Sequence, residues 1–317
     1  MAAMTWIPPF LPSRVSLFPT YRPVGNVRGM TPPLPERAGR RCHNVLNPLH
    51  STHYFSPDLG RELAAVGIED DRAAYFAARA AAMGAVGAGT VTATFYNFRH
   101  DLVAAHVPAV WQAASPETVL AARTRAVDAT LRRLLGEDLI VSKDVAEAAE
   151  LALRAAEACG STARPLYAAH ADLPVPEAPH LALWHAATLL REHRGDGHLA
   201  VLLDAELDPV EALVSHTATG KGMAPKWALG TRGWSRQDWE AASGRLRERG
   251  LLDARGELTQ AGVDLRQDIE ARTDRLDRAP YEHLGAAGVE RLTEIARNLL
   301  MTAVAAGAFP DGMIGKE

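Results

Sequence analysis

Hydrophobic residues recur every three or four positions along most of the chain from about residue 34, and Gly, Pro, Ser and Asp interrupt the pattern at short intervals. This period is typical of amphipathic α-helices and not of strands. Polar residues precede several of the periodic segments and supply an acceptor for the free N–H groups of a first helical turn. The pattern therefore predicts a mainly α protein, with helices starting after Ser56, Ser115, Asp208, Ser235 and Thr259.

Two segments of the pattern need a separate interpretation, one for its type of element and one for where a helix ends. The segment 90–98 is rich in β-branched and aromatic residues, which also fits a strand, and we interpret it as a helix. The sequence Arg194-Gly195-Asp196-Gly197 is expected to end one helix before another begins at His198. The predicted helices are 58–67, 71–84, 90–98, 116–136, 143–158, 180–193, 198–207, 210–218, 236–250 and a long helix from Thr259.

Three regions follow from this pattern. Residues 1–29 are proline-rich and aperiodic and lack the features of a signal peptide, so we expect a disordered tail before a natural start at Met30. Residues 30–172 are predicted to form a helical domain. The proline-set segment 173–179 is the expected boundary with a second domain at 173–317.

Composition restricts the function classes. The chain has 34 Lys+Arg against 38 Asp+Glu, a formal charge of −4, so there is no overall attraction to nucleic acid or to an anionic membrane. No apolar run approaches the ~18 residues of a membrane span. Cys42 and Cys159 are expected to be reduced packing residues, and the expected location is the cytoplasm.

The order of elements after residue 195 is the strongest signature in the chain. Helices are followed by a Leu-Leu pair, a short hairpin at 252–258 and a Thr-capped helix, through Leu246, Gly250, Leu251, Leu252, Leu258, Thr259, Ala261 and Gly262. This arrangement resembles the winged helix of MarR-type proteins. The resemblance covers residues 195–278 and implies a winged-helix domain with a small β-hairpin wing and C-terminal helices.

The whole chain also resembles an actinobacterial helix-turn-helix family of unassigned function. The residues that carry this resemblance are Tyr54-Phe55-Ser56-Pro57, Phe95-Tyr96-Asn97-Phe98, the segment 184–198 and Thr231-Arg232-Gly233-Trp234. The resemblance supports the fold and does not by itself imply an activity.

The MarR-like resemblance implies that, if the protein binds double-stranded DNA, the helix at 235–249 enters the major groove and the hairpin at 252–258 touches the minor groove or the phosphates. The candidate DNA-binding residues are Ser235, Arg236, Gln237, Arg245 and Arg255. Against this, Asp238 and Glu240 lie on the same helix, and residues 203–275 carry 11 basic and 13 acidic side chains. Asp238 is also a candidate capping-box residue. A homodimer would need only a local basic stripe.

A second candidate site lies on and after the helix at 180–193. Histidine, arginine and aspartate together can transfer protons and hold an anion. The alternative is structural, with Arg191 and Asp196 paired across the turn and the histidines bonded to backbone carbonyls. The candidate catalytic residues are His185, Arg191, His193, Asp196 and His198.

A third candidate is a small-molecule pocket in the first domain. Apolar and aromatic side chains with a few polar groups are typical of such pockets, although a plain core with surface histidines fits the same residues. The His50-x-x-His53 spacing lacks a convincing third ligand, so no metal is expected. The candidate ligand-pocket residues are His50, His53, Tyr54, Phe76, Arg79, Tyr96, Asn97 and His100.

These observations favour a ligand-responsive, MarR-like transcriptional regulator or small-molecule-binding protein that binds a small organic ligand and DNA. The alternatives are a cofactor-independent enzyme of specialised metabolism on a repurposed winged-helix scaffold, and a sequestering protein without catalysis. The sequence contains no glycine-rich phosphate loop, nucleophile elbow or Cys-x-x-Cys motif, so no cofactor is expected.

Overall fold

A computed structural model describes residues 33–316, and this part of the chain contains sixteen α-helices. The predicted tail at 1–29 lies outside the described residues. The prediction of a mainly helical chain is confirmed. The helices are α1 Ala38–Ser51, α2 Pro57–Ala64, α3 Asp71–Ala80, α4 Ala88–Phe95, α5 His100–Ala104, α6 Val110–Ala113, α7 Pro116–Leu135, α8 Glu137–Ile140, α9 Lys143–Ala156, α10 Pro165–Ala171, α11 Pro179–Asp204, α12 Pro209–Ala218, α13 Pro225–Arg232, α14 Arg236–Glu248, α15 Gln260–Leu276 and α16 Arg278–Ala305.

The predicted helix caps are confirmed. Each capping oxygen accepts a hydrogen bond from a backbone N–H in the first turn of its helix, which would otherwise have no partner. Asp208 and Ser235 belong to capping boxes, in which Glu211 and Asp238 bond back to the cap residue. The five capping residues are Ser56 on α2, Ser115 on α7, Asp208 on α12, Ser235 on α14 and Thr259 on α15.

Helix α11 differs from the prediction. The expected break at Arg194-Gly195-Asp196-Gly197 is wrong, because one 26-residue helix runs through it. Gly197 is buried, and a Cβ there would lie 3.2 Å from Nη2 of Arg164 and 3.5 Å from Cβ of Leu276. This glycine therefore permits close packing against neighbouring segments and does not end the helix.

The helices enclose three apolar cores. The first joins α1, α9, α11, α16 and the end of α7; the second joins α2 to α6 with the start of α7; the third joins the end of α11 to α12, α14 and α15. The first core combines residues from both sides of the expected boundary at 173, for example Cys42 and Trp184. Helix α11 is buried on most of its surface and runs about 39 Å from the first core to the third.

The predicted hairpin at 252–258 does not form two strands in the described structure. In the described residues, Leu252 and Leu258 form a single antiparallel bridge, and Met223 forms another with Ile314. The intervening turn is tight because the Asp253 carboxylate accepts the backbone N–H groups of Arg255 at 2.8 Å and Glu257 at 2.9 Å.

Cys42 and Cys159 are free thiols, as predicted, and burial raises the pKa of each to about 12. Within residues 33–316, no helix has both the length and the apolar character needed to cross a membrane.

Candidate functional site

Helices α12, α13 and α14 form a helix-turn-helix unit, followed by the Leu252–Leu258 bridge and α15. Helix α14 packs against α12 and buries Ala242 and Leu246, which are both 0% exposed. Its opposite face is open to solvent. This is the helix that, by the MarR-like resemblance, would enter the major groove of DNA.

Two glycines of the predicted winged-helix signature have clear steric roles. Gly250 follows α14 with a φ of 70°, a conformation that glycine adopts without strain. Gly262 lies in the first turn of α15, where a Cβ would lie 2.1 Å from the carbonyl oxygen of Leu251. No other residue fits this close approach without a shift of the backbone.

At the start of α14, two side chains cap the helix and two others are exposed to solvent. Ser235 is occupied by its capping box, since its hydroxyl donates to Asp238 at 2.7 Å. Asp238 therefore acts as the capping residue that the sequence suggested. Arg236 and Gln237 are exposed, and within the described residues neither side chain has a hydrogen-bond partner or ion pair.

The other predicted DNA-binding residues are already paired. Arg245 donates from Nε to Glu211 at 2.8 Å and also contacts Asp208, and Arg255 lies 3.4 Å from Asp253. Arg247, on the exposed side of α14, was not among the predicted residues. It has no ion pair in the part of the chain that the structure describes, so its guanidinium is available to a partner.

A second group of functional side chains is internal. We define the buried cluster as His50 and His53 from the end of α1 and the turn after it, Tyr54 from the same turn, Arg79 on α3, Arg123 on α7, and Arg191 with Glu192 on α11.

Glu192 is the carboxylate of the buried cluster and is 2% exposed. Arg79 approaches it to 3.5 Å through Nη2, and Arg191 forms a close ion pair with its other oxygen. Burial alone would raise the pKa of Glu192, but Arg191 and Arg79 outweigh this effect and keep the pKa below its ordinary value. Glu192 is therefore ionised at neutral pH.

Arg123 lies deeper than the other two arginines, at 5% exposed. Its Nη1 donates to the Ala78 carbonyl at 2.8 Å and lies 3.2 Å from Nε2 of His170, and its guanidinium is 5.2 Å from the Trp184 ring. Burial lowers the pKa of Arg123 to about 10, which still leaves it charged at neutral pH. No carboxylate contacts it among the described residues.

The two histidines of the buried cluster are neutral. Burial lowers the pKa of His53 to about 3 and that of His50 well below 6.5, and nearby Arg191 and Arg123 lower both further. The His50 ring stacks on Trp184 with centroids 5.1 Å apart, while His53 lies 3.9 Å from the Tyr54 ring.

Several polar atoms in this region are buried without a partner. Such atoms are rare in folded proteins, because an unsatisfied buried donor or acceptor costs about 1–3 kcal/mol. In the described part of the chain the unsatisfied atoms of the buried cluster are Nδ1 and Nε2 of His50, Nε2 of His53, Nε of Arg79 and Nε of Arg123.

The structure brings together some of the predicted pocket residues and separates others. His50, His53, Tyr54 and Arg79 belong to the buried cluster, and Phe76 packs beside it against Tyr75. The other three lie elsewhere. Tyr96 packs in the third core, where its hydroxyl donates to the Leu207 carbonyl. Asn97 lies beside the helix-turn-helix unit, and His100 is at the surface with its Nδ1 3.0 Å from Thr92.

The five candidate catalytic residues form no single constellation in the described structure. Asp196 accepts the N–H groups of Leu166 and Tyr167 at the start of α10, and not a bond from Arg191, so the expected Arg191–Asp196 pair is wrong. Arg191 instead donates to Asn47 at 2.9 Å. The His193 ring lies 2.8 Å from Asp277, and the His198 ring lies 2.9 Å from Thr273. Burial lowers the pKa of His185 to about 4.

Residues 96–99 connect the buried region to the helix-turn-helix unit. The backbone N–H of Arg99 donates to the Arg232 carbonyl at 2.9 Å, and the Trp234 indole donates to the Asn97 carbonyl at 2.8 Å. The Arg232 guanidinium lies 4.4 Å above the Phe98 ring. The turn between α13 and α14 is therefore held directly by this segment.

The sequence pattern did not identify Arg123 and Glu192 as buried charges, nor Arg232 as a half-buried one. A signal for Arg123 exists, since it lies on the apolar stripe of α7 with Val119, Ala122, Ala126 and Val127. An arginine in such a stripe faces a core and needs a polar partner there. No comparable local signal distinguishes Glu192 from a surface glutamate.

The described residues contain no group of three or more potential metal-binding side chains. An apolar void of about 10 Å³ lies beside His50 and Trp184, which is about the space that one water molecule needs. The buried cluster is therefore closed in this structure.

Comparison with protein-family models identifies a family for most of this chain. A family model described as a helix-turn-helix family matches residues 39–310, which is most of the chain. No curated protein and no solved structure matches the chain significantly. The chain belongs to this helix-turn-helix family.

Proposed function

We propose that the protein is a ligand-responsive DNA-binding regulator with a winged helix of the MarR-like type. The single observation that carries the proposal is the direct connection of residues 96–99 to the turn between α13 and α14. A change in the buried cluster on one side of this segment would alter the position of α14 on the other.

The exposed face of α14 supports the DNA-binding part. Arg236 and Gln237 at its start and Arg247 near its end project from one helix without intramolecular ion pairs among the described residues. Glu240 and Glu248 on the same helix reduce the net charge of this face. We therefore expect modest affinity that depends strongly on salt, because phosphate contacts release counterions.

The packing between Phe98 and its neighbours supports the ligand-responsive part. Arg79 of the buried cluster lies 4.1 Å above Phe95, and Phe95, Phe98 and Tyr75 form one aromatic group. Arg232 covers the other end of this group. A ligand that displaces Arg79 or Tyr75 would shift aromatic side chains that contact α13.

Fluorescence anisotropy with DNA from upstream of the protein's own gene, at low and moderate salt, tests the proposal. We expect Arg236→Ala and Arg247→Ala each to weaken binding by roughly tenfold and to reduce the salt dependence. Arg245→Ala is the matched control on the same helix, since Asp208 and Glu211 already hold its guanidinium. It should cost about 1 kcal/mol of stability and change DNA affinity less.

Absence of binding at low salt, where electrostatic attraction is greatest, contradicts DNA recognition. Equal losses from Arg245→Ala and Arg236→Ala contradict the assignment of the α14 face. A ligand that binds without changing DNA affinity supports a sequestering protein instead.

The proposal includes two further expectations. DNA binding places the protein in the cytoplasm, where free Cys42 and Cys159 remain reduced. We also expect a homodimer, which would present two copies of α14 to the DNA. Size-exclusion chromatography coupled to light scattering measures the oligomeric state. The dispersed contacts of the candidate catalytic residues give the enzyme hypothesis no equivalent support.

A further inference from the structure

We propose that the buried cluster is a binding site for a small organic carboxylate, with Arg79, Arg123 and Arg191 as its anchors. This inference deepens the proposed function by naming the ligand class, and rests on it only for the link to DNA.

The buried cluster carries more positive than negative charge. The buried cluster contains three guanidinium groups, those of Arg79, Arg123 and Arg191. Glu192 supplies one negative charge, which Arg79 and Arg191 share. The neutral histidines supply none. Asp196, one helical turn further along α11, accepts two backbone N–H groups and contacts none of the three arginines among the described residues. An uncompensated buried charge is costly, and an anionic ligand would remove the cost.

The buried cluster also has hydrogen-bonding groups that no described residue satisfies. Among residues 33–316, the Nε groups of Arg79 and Arg123 are donors without acceptors, and the neutral His50 ring has a donor and an acceptor that find no partner. His50 and His53 are each 1% exposed, so water does not serve them from the surface. A carboxylate offers two oxygens that accept several charge-assisted hydrogen bonds.

The side chains around the buried cluster indicate the body of the ligand and its route of entry. Trp184, Tyr54 and Tyr75 line the region with aromatic surface, which suits an apolar hydrocarbon body. Arg191 and Arg79 reach the surface with 19% and 14% of their side chains exposed, whereas Arg123 does not. Because the adjoining void is only about 10 Å³, the ligand enters by displacing Arg191 and Tyr54 at this rim.

Thermal shift and calorimetry with the full chain test the site, with four probes: succinate, butyrate, the uncharged amide butyramide and inorganic phosphate. We expect succinate or butyrate to bind and raise Tm, and butyramide to do neither. Arg123→Gln should weaken carboxylate binding roughly tenfold or more. Arg125→Gln is the matched control on α7, because Arg125 is 53% exposed and pairs with Glu62, so it should retain binding.

Arg191→Gln at the partly exposed rim is a second variant, used if Arg123→Gln does not fold. Failure of both carboxylates to bind overturns the inference, as does binding of phosphate alone or equal binding of butyramide. Equal losses from Arg123→Gln and Arg125→Gln also overturn it. DNA anisotropy of the same samples separates the two proposals, since DNA binding without carboxylate binding refutes only the ligand site, and the reverse refutes only the regulator.

Discussion

At the scale of single residues, burial decides what each charged side chain does. Arg125 and Arg123 are two positions apart on α7, yet one is solvated and the other is 5% exposed. Glu192 is the same residue type as the exposed Glu137 but balances two arginines in the interior. The energetic importance of such a residue therefore depends on its partners and not on its type.

This contrast gives a stability prediction. We expect Glu192→Gln to lower the free energy of unfolding by about 3–5 kcal/mol, because the change leaves Arg79 and Arg191 buried without their carboxylate. Urea denaturation measures the loss. Glu137→Gln removes a surface partner of Arg132 and should cost about 0–1 kcal/mol. Similar values for the two variants would show that Glu192 is solvated in solution.

At the scale of elements, α11 connects the functional regions. Its middle contributes Arg191 and Glu192 to the buried cluster, Asp196 one turn later holds the start of α10, and its end packs in the third core with α12. Because the helix is continuous through Gly195 and Gly197, these regions share one rigid element.

The continuity of α11 gives a prediction that separates it from a broken helix. We expect Gly195→Ala to raise the free energy of unfolding by about 0.5–1 kcal/mol, because alanine favours a helix interior and the added Cβ lies 3.6 Å from Glu192, an ordinary contact. Gly197→Ala should bring a smaller gain or a loss, since its Cβ would lie 3.2 Å from Arg164, which hydrogen bonds hold in place.

Thermal or urea denaturation of the two variants provides the measurement. A large loss of stability from Gly195→Ala would indicate that this glycine needs a conformation unavailable to alanine, and hence a helix break at that position.

At the scale of the whole molecule, burial keeps several histidines neutral by lowering their pKa values. Burial lowers the pKa of His53 and His170 to about 3 and that of His185 to about 4, and keeps that of His50 well below 6.5. The unfolded chain titrates these groups near 6.5. Asp196 acts in the opposite direction, since burial raises its pKa to about 6.

These shifts predict loss of stability in mild acid. Below about pH 6.5 the unfolded state binds protons that the folded state does not, so stability is present above this pH and falls as the pH decreases towards 4. Each such histidine contributes a slope of up to about 1.4 kcal/mol per pH unit. Urea midpoints at pH 7, 6 and 5 should therefore decrease steadily. Constant or rising midpoints would mean that the histidines are accessible to protons in the folded protein.

The sequence by itself determined the features that depend on neighbouring residues. A cap such as Ser115 or Ser235 bonds to an N–H three positions away, so residue type and spacing are sufficient to place the helix start. The mainly helical character and the helices α12 and α14 follow from the same local rules, whereas α13 was not predicted. The steric need for Gly262 was visible as a pattern, and the structure supplied its cause.

Only the tertiary structure decided which distant groups meet. Arg191 bonds to Asn47, 144 positions away, and not to nearby Asp196, because residues 191 and 196 point in different directions on one continuous helix. The same packing converts Gly197 from an expected helix end into a close contact and places Arg123 among buried histidines. Burial and long-range partners arise from the assembly of several helices, so no local pattern could specify them.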